Sequence, residues 1–105
     1  MAHIRFVVTI RLKPGSEDDF VAAYQAMHER VTQGLPGHVA HQLCRSLDDP
    51  QDWIITSEFE SHEAWQAWDE SDEHRAIIGP FRQFFERGGS SAYEVRVESR
   101  HPSDR

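Results

Sequence analysis

Residues 3–13, HIRFVVTIRLK, alternate in a way that only an extended strand satisfies. Ile4, Phe6, Val8, Ile10 and Leu12 fall on one side, and Arg5, Val7, Thr9 and Arg11 on the other. A period of two with β-branched residues reads as a β-strand. Such a strand must lay its apolar face on something, and the next stretch supplies it. PGSEDD stops the strand. Ser16 can cap a helix, and Glu17, Asp18 and Asp19 suit the positive end of its dipole. Phe20, Ala23, Tyr24, Met27 and Val31 then recur at spacings of three and four, giving the helix one apolar face. Gly34 and Pro36 close it.

The remainder extends the same logic. HVAHQLCRSL (38–47) reads as a second strand, DDPQ as a turn and DWIITSEFE (52–60) as a third strand hairpinned to the second. Trp53, Ile55 and Phe59 share one face with Ser57, while Ile54 and Thr56 lie on the other. A sheet semi-apolar on both faces needs cover on both, with helices on one and a second copy of the chain on the other. Ser61 caps a short helix to about Glu70, and Ser71 caps the next. His74, Ile77, Ile78, Phe81, Phe84 and Phe85 trace one helical face, which Gly79-Pro80 is expected to kink or restart. RGGSS should end that helix, AYEVRVE (92–98) should form the fourth strand, and 99–105 should be a loose tail. The order β-α-β-β-α-β predicts one α+β, ferredoxin-like domain over residues 1–98, an antiparallel sheet with its helices on one face.

Composition narrows the function. Net charge is −7 with histidines neutral, and the arginines form no stripe, which argues against nucleic acid. No apolar run is long enough to span a membrane, and the first residues lack a signal-peptide core. A single cysteine, Cys44, forbids an internal disulfide and fits a cytoplasmic protein. Cys44 reads as a small apolar strand residue. Among seven histidines, no HxxxH, HxH or CxxC spacing occurs. His38 and His41, three apart on a strand, are expected on opposite faces. No metal site is therefore expected, and no phosphate-binding loop, dinucleotide fingerprint or serine-nucleophile motif is present.

What remains is an aromatic and histidine cluster. EAWQAWDESDEHRA (63–76) puts Trp65 and Trp68 on one helix face and His74 in the first turn of the next helix. These rings can be plain core. They can also wall an apolar pocket with a few polar groups. The positive helix end opposes a charged imidazole at His74, and His41 shares its strand face with Val39 and Leu43. Either histidine is a candidate proton acceptor. The expected site is catalytic His74, His41 and Trp68, with Trp65, Trp53, Phe81, Phe85, Ile78 and Tyr24 around an aromatic small-molecule substrate.

VVTIRLKPGSEDDFVAAY, GLPGHVAHQLCRSLDDPQDWIITSEFESHEAWQAWDESDEHRA and the closing YEVRV resemble the antibiotic biosynthesis monooxygenase (ABM) domain over about residues 4–98. The resemblance implies a homodimeric α+β barrel in which two such sheets face each other. Its paired tryptophans and SDEHR segment are most similar to tetracenomycin-type anthrone oxygenases of aromatic polyketide biosynthesis. That branch implies a cofactor-independent monooxygenase that takes an anthrone to a quinone, with molecular oxygen as co-substrate. The haem-degrading branch keeps an Asn, a Trp and a His. Here Trp68 matches, but Ile10 and Ile78 stand at the other two positions. Polar positions of the actinorhodin-type branch hold Ile55, Phe59 and Trp65, so its residue roles do not carry over. The alternatives are a polyketide cyclase or isomerase using the same pocket without oxygen, a protein that binds haem or a hydrophobic ligand, and a dimer with no ligand.

Overall fold

The computed structural model of the chain describes residues 2–32 and 35–101, the side chains of 29–32 excepted. Val31's side chain and Gly34, both assigned to the first helix and its end, lie outside the described part. The elements run β1 (Ile4–Leu12), α1 (Glu17–Thr32), β2 (His38–Arg45), β3 (Asp52–Phe59), α2 (His62–Asp69), α3 (Asp72–Phe81), a 3-10 turn (Arg82–Phe84) and β4 (Phe85–Glu94). Among the described residues the four strands form one sheet in the order β2-β3-β1-β4. Every pairing is antiparallel. This is the ferredoxin-like α+β arrangement that the element order predicts.

The alternation of β1 does what it should. Ile4, Phe6, Ile10 and Leu12 are buried under the helices, and Arg5 and Thr9 are exposed on the far face. Phe20 of α1 is fully buried and gathers the core around it. Its ring lies 5.8–6.3 Å from the rings of Tyr24, Trp53, Phe81, Phe84 and Phe85. Burying a side chain of this size contributes roughly 1.5–3 kcal/mol. Ser61 and Ser71 cap α2 and α3, accepting from the backbone N–H of Ala64 and His74 at 3.1 Å each. Ser16 precedes α1 and takes its first carbonyl bond from Phe20, but its hydroxyl donates back to the Lys13 carbonyl at 2.7 Å.

Three expectations need correction. First, α3 continues through Gly79-Pro80 and stops one residue later at Phe81. Pro80 forfeits one intrahelical N–H bond, and after Phe81 the helix gives way to the 3-10 turn Arg82–Phe84. Phe85 therefore opens β4 instead of ending a helix. Second, RGGSS is no terminator. Gly88, Gly89, Ser90 and Ser91 pair with Ile10, Thr9, Val8 and Val7 along β1, and a bulge falls between Arg11 and Leu12. A Cβ at Gly88 would stand 3.1 Å from the Thr9 carbonyl oxygen, so the two backbones approach closely there. The strand ends at Glu94, and Val97, expected within it, is exposed. Third, β2 carries a bulge. His38 pairs with Phe59 and Ala40 with Glu58, which leaves Val39 as the extra residue. His38 and His41 consequently share the helix-side face.

Arg100, within the expected loose tail, makes a contact with the sheet. It donates to Glu58 at 2.8 Å on the sheet face away from the helices. His3 stands 2.6 Å from the same carboxylate. Burial works against the charge on Glu58, but the His3 hydrogen bond and the Arg100 cation outweigh it and hold its carboxyl below the ordinary range.

Candidate functional site

Between the helices and the β2–β3–β1 half of the sheet lies a small, partly open cleft. Its floor is Phe6 and Val8 of β1, Ile55, Ser57 and Phe59 of β3, and His38 and His41 of β2. Its roof is Met27, Leu35, Trp68, His74 and Ile78. The cleft therefore brings together all three expected catalytic residues, His74, His41 and Trp68, with Ile78. The β2 bulge adds His38, which strand periodicity alone placed on the wrong face.

The other expected substrate contacts are elsewhere. Trp53 (8% exposed) and Phe81 (6%) belong to the core around Phe20, and Phe85 packs against it. Trp53 spends its indole N–H on the Pro50 carbonyl at 2.8 Å. Trp65 turns towards Phe6 and His62, with ring centroids at 5.7 and 5.6 Å, and lines a separate surface groove with Ala92, Tyr93 and Glu94. Tyr24 is not a lining residue. It stands behind the cleft on α1, with its hydroxyl 2.6 Å from Nδ1 of His41. Only tertiary packing makes that pair, so sequence spacing gave no sign of it.

Two imidazole environments result. His74 lies in the first turn of α3, and its backbone N–H is held by the Ser71 hydroxyl. Its ring packs 5.0 Å from that of Trp68, and its Nδ1 lies 3.2 Å from the Asp69 carbonyl oxygen. His41 is packed among other rings: His28 at 4.3 Å, His38 at 5.1 Å and Tyr24 at 5.7 Å. Burial, with His28 and His38 adding to it, pushes the His41 pKa down to about 4. His38 is lowered by burial and then by His28. Burial raises the Tyr24 phenol well above its ordinary value, so it stays protonated. At neutral pH the floor of the cleft is therefore uncharged at both His38 and His41. The arrangement can move a proton between neutral groups in an apolar setting.

The cleft encloses about 50 Å³. Pockets for drug-sized ligands run to roughly 300–1,000 Å³. A larger ligand must displace part of the roof. The element best suited to move is α2, which has no fully buried side chain. Among the described residues no group of three or more His, Cys, Asp or Glu is arranged around a metal position, and no helix is long and apolar enough to cross a membrane. Arg75, a surface residue, pairs with Asp72 at 3.3 Å and takes no part in the cleft.

Comparison with known proteins agrees with this architecture. The family model for "Antibiotic biosynthesis monooxygenase" matches residues 3–79. The chain is 35% identical over 98 residues to protein SchA of Streptomyces halstedii, covering 93% of this chain and 26% of that protein. It is 36% identical over 98 residues to a 42.8 kDa protein in the whiE locus of Streptomyces coelicolor, covering 93% of this chain and 24% of that protein. The chain thus spans about a quarter of the length of these curated relatives. Among solved structures, a conserved protein from Methanosarcina mazei superposes with a TM-score of 0.82 at 16% identity, covering 91% of this chain and 95% of that one. SnoaB, a cofactor-independent oxygenase from Streptomyces nogalater, superposes at 0.80 and 16% identity with the same coverage. At such identities these two likenesses speak for the fold alone.

Proposed function

Because the chain belongs to the antibiotic biosynthesis monooxygenase family, we propose that it is a cofactor-independent oxygenase acting on an anthrone-type aromatic polyketide. The observation that carries this reading is the convergence of Trp68, His74 and His41 on one apolar cleft. Both long relatives come from Streptomyces, and a third, 34% identical over 80 residues, is the polyketide synthase CurD of Streptomyces cyaneus. These names support a polyketide setting.

In this reading α2 and the start of α3 swing outward to admit a flat polycycle, which stacks on Trp68. A neutral cleft histidine removes a proton from the ring methylene. A placed base of this kind is worth ~10²–10⁴-fold. The resulting carbanion, delocalised over the rings, passes electrons to dioxygen, and the two combine as a carbon-bound hydroperoxide once the proton returns. Loss of the remaining methylene hydrogen and of the terminal oxygen as water leaves the carbonyl of the quinone. One oxygen atom enters product and one enters water, and the substrate supplies all the electrons. The apolar lining keeps bulk water from the carbanion.

Oxygen uptake by purified protein with a tricyclic anthrone tests this. Stoichiometric consumption with quinone formation is expected, falling at least tenfold in Trp68→Phe and ~10²–10⁴-fold in His74→Ala. Leu47→Ala, at a fully exposed position, should match wild type. Anthrone conversion at an unchanged rate without oxygen would overturn the oxygenase and leave a cyclase or isomerase using the same proton transfer.

A further inference from the structure

The two cleft histidines differ in which ring nitrogen is already committed. Nδ1 of His74 faces the Asp69 carbonyl oxygen, which can only accept. That nitrogen must carry a hydrogen, and in the neutral ring the lone pair is left on Nε2. Nδ1 of His41 faces the Tyr24 hydroxyl, which can donate. Tyr24 is 5% exposed, and among the described residues its hydroxyl has no second partner to take its proton. The phenolic proton therefore goes to Nδ1, and the ring hydrogen of His41 sits on Nε2. That Nε2 is buried and has no hydrogen-bond partner among the described residues. A buried N–H left unpaired costs ~1–3 kcal/mol, so it is a natural place for a ligand acceptor.

We propose that His74 and His41 present opposite polarity to one substrate: His74 Nε2 accepts the ring-methylene proton, and His41 Nε2–H donates to the substrate's conjugated carbonyl oxygen. Tyr24 is the positioning residue that holds His41 in the donor tautomer. The inference deepens the oxygenase reading and rests on it for the identity of the substrate, although the tautomers themselves do not. It also selects the ligand class. The substrate carries an acidic C–H at one end and a ketone in conjugation with it at the other, so that charge leaving His74's side arrives at His41's. No bond other than C–H breaks in this step. The proton moves to His74 and the electron pair relaxes onto the ketone oxygen as an enolate. A neutral donor suits that oxygen, because it stabilises the charge as it forms without surrendering its own proton.

Long-range ¹H–¹⁵N correlation spectra of ¹⁵N-histidine-labelled protein at pH 7.5 read the tautomers without any turnover. Expected are an Nδ1–H ring for His74 and an Nε2–H ring for His41. Tyr24→Phe should shift His41 towards a mixture and leave His74 unchanged. An Nδ1–H ring at His41, or a tautomer indifferent to Tyr24→Phe, overturns the proposal whatever the enzyme does. With anthrone and oxygen, His41→Gln keeps an N–H donor and should retain at least tenfold more kcat than His41→Leu, while His74→Gln should be as poor as His74→Ala. Equal losses at His41→Gln and His41→Leu would also overturn it. The expected tautomers with no oxygen uptake would sink the oxygenase reading alone.

Discussion

At the scale of single residues, His41 sets a measurable pH signature. Its folded-state pKa of about 4 lies below the ordinary histidine value near 6.5, through burial first and then His28 and His38. The folded protein thus binds fewer protons than the unfolded chain between those two values. The stability that His41 contributes is full above about pH 6.5 and is lost progressively as the pH falls towards 4. Tyr24 is the other titratable group against this ring, and it stays neutral throughout that window. His38, lowered in the same direction, adds to the effect. Thermal unfolding should show a Tm lower by several degrees at pH 5 than at pH 7.5, with the difference clearly smaller in His41→Gln. Identical pH slopes in the two proteins would mean that His41 is not the buried neutral base described. Strand periodicity already flagged this residue as a histidine facing apolar neighbours. It could not supply the Tyr24 hydroxyl or the imidazoles of His28 and His38, which arrive from α1 and across a bulge.

At the scale of elements, what was legible followed periodicity, and what was not followed pairing. β1, α1 and the β2–β3 hairpin carry apolar residues at their own period, and the serines before α2 and α3 carry cap chemistry. β4 has neither. Its residues 88–91 are glycine and serine, which read locally as a break, yet β1 offers an unpaired edge that imposes the strand. The rings of Trp53, Phe81 and Phe85 were indistinguishable by spacing from Trp68, and only the position of Phe20 decides which are core. Gly37 fixes how α2 meets the sheet. It has φ +74°, and a Cβ there would stand 2.4 Å from Cβ of Ala64 in α2. Gly15 has φ +82° with nothing within 4 Å. Gly15→Ala should therefore cost only the backbone conformation, about 1–2 kcal/mol. Gly37→Ala adds the collision, for about 2–4 kcal/mol in all. It should also push α2 off the sheet and loosen Trp68. Urea unfolding separates the two variants, and equal losses would show that α2 does not rest on Gly37.

At the scale of the whole molecule, the sheet has one covered face and one open one. The helices cover the side of Phe6, Ile10 and Trp53. The opposite side presents Val7 and Thr9 of β1, Ile54 and Thr56 of β3, Cys44 of β2 and Tyr93 of β4. Ile54 is 37% exposed and Tyr93 57%. Such a surface is too apolar for a sheet face meant for water, and its β-branched residues are those that pack well against another sheet. The same face carries charges of both signs, Arg5 and Arg11 with Asp52 and Glu58, so two copies related by a two-fold axis can set opposite charges together despite a net charge of −7. The occupant we propose is a second copy of this chain. Light scattering on the purified protein should give twice the mass of the 12.2 kDa chain. Ile54→Glu places a charge in the middle of that contact while leaving the cleft on the other face untouched, so it should yield a folded monomer with normal His74 and His41 tautomers. A wild type that is monomeric at concentrations of tens of micromolar would overturn the second-copy reading. An Ile54→Glu protein that stays dimeric would mean that the copies meet elsewhere, and that this open face needs another explanation for its apolar residues.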